Sequence, residues 1–511
     1  MRKQQIGIID MGSNSVRFVI YSVDENGCFK EIQNLKIVAR LSTYINNEGN
    51  MTLDGIDIIL ETLARFQMIT FNYQLDVIKG VATAAIRNAK NQSEIISAIK
   101  NQGYFHIEVL SDYKEAYYGY LAITNSTNII DGISIDIGGG STEVTLFEER
   151  TLIASHSFPF GALTLKEAFI QNGDPTEGEL KKLENYLIQA FNTLPWLKCK
   201  THPIIGIGGT ARNLANIHQQ IVNYPLSGLH QYEMADKDVT LINEKLRNLT
   251  LKQRQQVEGL SKDRADIIIP AITAIEKLID HTGGNQFIIS NKGLRDGLFY
   301  EIVLKQIGIT HFPNTTEESV YQLSHMYNLD LQFHKRIAIL ATFLIKQLQS
   351  LNIVSITKDE LKIIQWAAKV FYIGASIHPE SKSQHTFYLI TNQSIDGLSH
   401  DERLAVAFIS SFKSRSLLKK FAEPFSRWVT AEELKSFELF GAIIKLCYGL
   451  DVSKRNIVKS IELSEDSLNK LTIQIFYDKD AYFEKYYARK YKKHLEKALS
   501  KEIEIQFSKV K

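Results

Sequence analysis

Apolar positions through about residue 310 come in short alternating runs broken by glycine, and beyond that they settle into helical spacing. Residues 5–23, "IGIID" then "VRFVIYSV", predict two strands around a turn. Thr52 opens a helical pattern to about Asn72, with Ile56, Ile59, Leu60, Leu63 and Phe66 on one face. A strand over 76–83, a helix over 85–102, a strand over 105–110 and a helix over 113–123 follow. This alternation predicts α/β architecture, and the polar stretch 124–132 predicts a boundary.

The plan then repeats. Strands are expected at 132–137, 142–148 and 151–157, and a long helix at 176–192. Residues 202–217 and 286–303 each read as strand, glycine turn and helix. Residues 264–282 read as a helix that Pro270 must kink or begin. Residues 316–450 are helical, and 455–511 return to mixed α/β with a basic helix at 481–499. The expected domains are 1–124, 125–307, 312–450 and 455–511.

The chain has 511 residues, too many for one core. Its 44% apolar and 23% charged content is that of an ordinary globular protein, and a net charge of +2 does not advertise nucleic-acid binding. Cys28, Cys199 and Cys447 are too scattered for a disulfide framework or a zinc cluster, which suits a reducing compartment. No apolar run approaches the ~20 residues of a membrane span. The expectation is a cytoplasmic protein with no membrane span and no specific nucleic-acid partner.

The chemistry lies in a doubled motif. "IDMGSNSVRF" (9–18) and "IDIGGGSTEV" (135–144) align without a gap, with Asp10 over Asp136, Gly12 over Gly138 and Ser15 over Ser141. A glycine turn after a strand lets backbone N–H groups approach a phosphate. Either copy alone also fits a tight hairpin turn. Two copies in register predict facing turns that grip a polyphosphate, through Gly12, Ser13, Asn14 and Ser15 on one side and Gly138, Gly139, Gly140 and Ser141 on the other. Asp136 and Glu143, with Asp10 as a third, offer hard oxygen ligands for Mg²⁺. Arg17 stands in the first copy where the second has Glu143, so metal is expected mainly on the second turn. "GIGGTARN" (206–213) adds a strand, turn and helix N-terminus at Gly208, Gly209 and Thr210, suited to an anion.

These turns resemble those of the actin-like, sugar-kinase and heat-shock-chaperone ATPase superfamily. With "VATAAIRNAKN" (81–91), "LSDYKEAYYGY" (110–120), "RADIIIPA" (264–271) and "SNKGLRDGL" (290–298), the set resembles more specifically the exopolyphosphatase/guanosine pentaphosphate phosphohydrolase family, in its long form. The resemblance implies two actin-like (ribonuclease H-like) lobes with a cleft between them, then an all-α domain and a small α/β tail. It implies that "LSDYKEA" supplies the catalytic base, Glu115, although Asp112 replaces the family's common glycine and Lys114 stands where an acid is frequent. Arg87 is expected to clamp a phosphate, with Asn91 one turn later on the same helix face.

The helical part resembles the metal-dependent His-Asp phosphohydrolases, with Phe371 and Tyr372 where the His-acid pair would be. His334 and His385 do not make a site, so this domain is expected to lack metal hydrolase activity and to serve packing, dimerisation or a long anionic substrate. From Lys485 to Lys501 there are seven Lys or Arg and one Glu, with tyrosines interleaved: a solvated face or a channel wall for polyphosphate. The leading expectation is a Mg²⁺-dependent exopolyphosphatase acting as a homodimer. The alternatives are a guanosine pentaphosphate phosphohydrolase, a non-catalytic sensor of polyphosphate or guanosine tetra- and pentaphosphate, and an ATP-using kinase or chaperone.

Overall fold

The computed structural model describes residues 3–171, 173–198, 200–466 and 470–510, so Cys199 lies outside the described residues. The chain forms two compact units, one of residues 1–224 and 229–315, the other of 225–228 and 316–511.

The first unit contains two sheets of the same design. Strands β1 (Gln4–Met11), β2 (Val16–Val23) and β3 (Phe29–Ile37) are followed by α1 (Leu53–Thr70), β4 (Val77–Ala82), α2 (Ala84–Arg87), α3 (Gln92–Gln102), β5 (Ile107–Val109) and α4 (Asp112–Thr124). The strand order is β3-β2-β1-β4-β5, antiparallel through β1–β3 and parallel from β1 through β4 to β5.

The second sheet uses β6 (Gly132–Ile137), β7 (Thr142–Glu148) and β8 (Thr151–Phe158), then α5 (Ala162–Phe169), α6 (Glu177–Asn192), β9 (Ile204–Ile207) and α7 (Gly208–Val222). It is completed by β10 (Glu233–Ala235), α8 (Asp236–Arg247), α9 (Leu251–Arg254), α10 (Ile268–Thr282) and β11 (Gln286–Ile289). Its order, β10-β11-β9-β6-β7-β8, repeats the antiparallel meander and the parallel crossovers of the first. The doubled sequence motif is thus the hairpin turn at the same place in two related lobes.

Three expectations change here. The helix at 85–102 is two helices, because Asn91 turns its side chain to the backbone of Met51, accepting from its N–H at 2.8 Å and donating to its carbonyl at 2.9 Å. Asn91 therefore does not extend a helix face from Arg87. Pro270 is the third residue of α10 and marks its start, where a missing N–H costs nothing. The final helix of the unit, α11 (Leu294–Lys305), was expected within a second domain ending at 307, yet it packs on the first sheet. Its Leu298, Phe299, Tyr300, Val303 and Leu304 are buried with Ile6, Ile8, Val19 and Tyr21, and Phe299 stacks on Tyr21 at 4.2 Å. Each such side chain contributes about 1.5–3 kcal/mol on burial, so the apolar face of α11 decides which lobe it joins.

The second unit is helical, with α12 (Thr315–Met326), α13 (Leu331–Ser350), α14 (Lys358–Lys369), α15 (Lys382–Asn392), α16 (His400–Ser410), α17 (Arg415–Ala422) and α18 (Ala431–Leu450). A three-stranded sheet follows, β12 (Val458–Glu465), β13 (Leu471–Tyr477) and β14 (Ile503–Lys509), with α19 (Tyr482–Leu499) crossing between the last two and packing along α18. Phe371 and Tyr372 are buried, and Lys382 lies 4.1 Å over the Tyr372 ring. His334 is buried between the carbonyls of Asp330 and Phe371. In α19, Lys492 pairs with Glu496, Lys490 lies over Tyr486 and Tyr487, and Lys485 donates to the Tyr477 hydroxyl. No described helix is long and apolar enough to cross a membrane.

Candidate active site

Both hairpin turns open into one cleft of about 280 Å³ in the first unit. Gly12, Ser13, Asn14 and Ser15 line it from one sheet, and Gly138, Gly139 and Ser141 from the other. The turns share one internal geometry: the Gly12 N–H donates to the Ser15 carbonyl at 3.1 Å and the Gly138 N–H to the Ser141 carbonyl at 2.9 Å. Those two amides are therefore spent on the turns. The amides of Ser13, Asn14, Gly139 and Gly140 donate no hydrogen bond among the described residues, and those of the lining residues Ser13, Asn14 and Gly139 remain for an anion.

Each turn is braced from behind. The carbonyls of Ser13 and Asn14 accept from the N–H groups of Ser42 and Arg40, at 3.1 and 2.9 Å. The carbonyls of Gly138 and Gly139 accept from Ala162 and Leu163 at the start of α5, at 2.9 and 3.0 Å. Gly140 is not among the residues lining the cleft, although it lies near the Ser13 hydroxyl.

Gly208 and Gly209 bring the N-terminus of α7 to the cleft wall, as expected, while Thr210 is buried behind them. The structure fills the space beside these glycines. A Cβ at Gly208 would lie 2.4 Å from Oδ1 of Asp136, and one at Gly209 would lie 2.2 Å from Cζ of Arg264. The anion nearest the α7 terminus is thus an internal one, the Asp136 carboxylate.

The carboxylates hold unequal positions. Asp10 and Asp136 end equivalent strands and line the cleft. Their cross-strand partners are Arg17 and Glu143, the pair by which the two halves of the motif differ. Asp10 accepts a hydrogen bond from Nη1 of Arg295 at 2.7 Å. Glu143 does not line the cleft; it is buried and accepts from the Ser157 hydroxyl at 2.9 Å. Glu115, on the first turn of α4, does line it. Burial pushes the Glu115 carboxyl up to about 7 against the pull of Arg87, and Asp136 and Asp10 push the same way. Burial likewise raises Asp136, and it raises Glu143 well above the usual carboxylate range, helped by Glu115 and Asp136.

Arg87, expected to clamp a phosphate, is placed behind the cleft wall. It is not a lining residue of the cleft, and its two arms hold Glu115 and Asp112, each at 2.6 Å. Lys114 is tied to Glu108 at 2.6 Å on the surface.

The larger feature, unassigned by the sequence reading, is a cationic wall of Arg17, Lys36, Arg40, Arg212, Arg264 and Arg295. Arg17, Arg212 and Arg264 make no ion pair among the described residues. Burial and the guanidiniums of Arg295 and Arg212 push Arg17 down to about 10. Arg212 and Arg264 are lowered by burial first, and neighbouring arginines pull Arg212 the same way. Half-buried like charges crowded together are costly unless an anion joins them. For Arg17, Arg212, Arg264 and Arg295 the signal was in the motifs "NSVRF", "GGTARN", "RADIIIPA" and "GLRDG", whereas Lys36 and Arg40 lie outside them.

The donor chemistry bears on Mg²⁺. Among the described residues no group of three or more His, Cys, Asp or Glu is arranged to hold a metal ion. Mg²⁺ commonly uses one or two carboxylates and completes its shell with water and phosphate oxygens. Asp136 at the cleft, with Glu143 behind it, fits that smaller set, whereas Asp10 is committed to Arg295.

Comparison with known proteins agrees with this architecture. The model of the Ppx/GppA phosphatase family matches residues 19–306, and that of Ppx/GppA phosphatase, domain III, matches residues 316–483. The bifunctional 3-dehydroquinate synthase/phosphatase of Fusobacterium nucleatum is 27% identical over 297 residues, 55% of this chain, and the chain spans only 44% of that protein. The guanosine-5'-triphosphate,3'-diphosphate pyrophosphatase of Aeromonas hydrophila is 24% identical over 76% of this chain and 77% of its own length. Exopolyphosphatase 2 of Mycobacterium tuberculosis is 24% identical over 58% of this chain and 98% of its own. The crystal structure of the Aquifex aeolicus member of the Ppx/GppA family superposes with a TM-score of 0.54 at 26% identity, covering 60% of this chain and 99% of that one. The chain belongs to the Ppx/GppA phosphatase family.

Proposed function

We propose that the cleft hydrolyses the terminal phosphoanhydride of inorganic polyphosphate, releasing orthophosphate. The observation that carries this reading is the trio of half-buried guanidiniums without ion pairs, Arg17, Arg212 and Arg264, beside two glycine turns with free amides. A compact cationic wall suits a dense polyanion.

Hydrolysis needs the chain end held, a water aligned and its proton taken. The amides of Ser13, Asn14 and Gly139 and the guanidiniums bind phosphoryl oxygens. Glu115 takes the proton from water; a carboxyl raised to about 7 by burial is matched to that work near neutral pH. Asp136, backed by Glu143, would hold Mg²⁺, which supplies charge neutralisation on the phosphoryl oxygens when bound.

A second reading, removal of the terminal phosphate of guanosine pentaphosphate, is favoured by the Aeromonas relative's name and uses the same residues. The Mycobacterium relative's name tilts the reading to polyphosphate. The test is phosphate release from long-chain polyphosphate, guanosine pentaphosphate and ATP, side by side, with and without Mg²⁺. Fast Mg²⁺-dependent release from polyphosphate is the expected result. Preference for guanosine pentaphosphate would move the assignment to the second reading, and tight binding without release would make the chain a sensor. The proposal extends to a cytoplasmic homodimer, tested by light scattering and fractionation.

A further inference from the structure

Asp112 and Glu115 stand three residues apart on the first turn of α4, so their side chains leave one face of the helix. Both reach one guanidinium. Nη2 of Arg87 lies 2.6 Å from Oδ1 of Asp112, and Nη1 lies 2.6 Å from Oε2 of Glu115. Nη1 also donates to the Leu110 carbonyl at 3.3 Å, and the buried Nε of Arg87 has no partner. Arg87 is nearly buried, with 13% of its side chain exposed, while Asp112 is 58% exposed at the rim. Of these three charged groups only Glu115 lines the cleft.

An exposed carboxylate paired with an exposed cation contributes little. Here the partner is buried and shared. A guanidinium held by one carboxylate can turn about it; held through both terminal nitrogens, its plane is fixed. We propose that Asp112 is a positioning residue, which holds one arm of Arg87 so that the other arm keeps the Glu115 carboxylate directed into the cleft. The proposal rests on reading Glu115 as the base. It also assigns work to Asp112 at the position where it replaces the glycine common in the resembling family.

The test compares wild type with Asp112→Ala, Asp112→Asn, Asp112→Glu, Arg87→Ala and the double variant Arg87→Ala/Asp112→Ala in steady-state phosphate release. Asp112→Ala and Asp112→Asn are expected to lower kcat about tenfold, the scale of a misdirected catalytic group, with KM within about twofold. Asp112→Glu is expected to recover part of the loss, and adding Asp112→Ala to Arg87→Ala to lower kcat no further. An undiminished kcat in Asp112→Ala, a rise in KM instead, or the full loss repeated in the Arg87→Ala background overturns the proposal.

A second readout does not need turnover. The ¹⁵N guanidinium signal of Arg87, assigned by its absence in Arg87→Lys, is expected to report slow rotation in the wild type and fast rotation in Asp112→Ala. Equal rotation in both overturns the positioning role. A wild type with no turnover on any phosphoanhydride would instead fail the functional reading, and the rotation comparison would still decide this one.

Discussion

Nη1 of Arg295 meets Oδ2 of Asp10 at 2.7 Å, joining the first residue pair of α11 to the end of β1 across most of the unit's sequence. This pair does two things. It pins the N-terminus of a helix that packs on the first sheet, and it takes up one oxygen of a carboxylate that the doubled motif offers to a metal.

Asp10→Asn therefore separates the two roles. Breaking a largely buried charge-assisted bond should lower stability by about 1–3 kcal/mol, read as a shift in denaturant midpoint. The apparent Mg²⁺ affinity should stay within about threefold, whereas Asp136→Asn should weaken it tenfold or more, the usual scale of losing one charged ligand. Equal weakening by both substitutions would return Asp10 to the ligand set.

The unpaired arginines predict a trade between stability and function. Arg212→Ala should raise KM for an anionic substrate about tenfold or more, since it removes a half-buried guanidinium of the cleft wall. It should leave Tm unchanged or raised, because it also relieves crowding with Arg264 and Arg295. Inorganic phosphate or tripolyphosphate should raise the wild-type Tm more than that of the variant. A thermal melt with and without the anions checks this.

As the proposed base, Glu115 should set the acid limb of the rate profile. A base must be ionised to accept a proton, and burial raises this carboxyl to about 7. In the free enzyme kcat/KM should fall with unit slope as pH drops below that value. The linked effect on stability has the opposite sign. A raised carboxyl favours the fold below its ordinary value of 4.5, and this contribution is lost as pH rises through about 7. Glu115→Gln should thus gain stability relative to wild type above neutral pH, while activity falls about 10²–10⁴-fold.

Gly161 is a packing constraint on the second turn. A Cβ there would lie 2.5 Å from the Gly139 carbonyl carbon and 2.7 Å from the Gly138 oxygen. Gly161→Ala must displace the turn, at an overpacking cost of about 1–3 kcal/mol. Phosphate release should fall with it, whereas Gly178→Ala, where a Cβ meets nothing, should be neutral. Paired melts and assays of the two variants measure the contrast.

The legible parts of this chain were those written locally. The two hairpins follow from strand alternation and glycine turns within ten residues, so "IDMGSNSVRF" and "IDIGGGSTEV" predicted equivalent places in two lobes. The break at Asn91 was hidden because it depends on Met51, forty residues away. The return of α11 to the first sheet was hidden because its apolar face fits either lobe by periodicity alone, and only packing against Tyr21 and Ile6 decides. At the site, the sequence named the glycine turns and Glu115, which the structure brings to one cleft, while the ion pairs of Arg87 with Asp112 and Glu115 could not be read without the fold. The cationic wall was missed because Arg17, Arg212, Arg264 and Arg295 come from four distant motifs and Lys36 and Arg40 from none of them, and their crowding exists only in three dimensions.

In the proposed reaction water attacks a terminal phosphoanhydride in this cleft and Glu115 takes its proton. The most direct measurement is phosphate release from long-chain polyphosphate in ¹⁸O-labelled water, with Mg²⁺, for wild type and Glu115→Gln. The account predicts orthophosphate carrying one solvent oxygen from the wild type, and a loss of about 10²–10⁴-fold in rate for a folded Glu115→Gln. Equal rates from both proteins, or released phosphate without solvent oxygen, would contradict it.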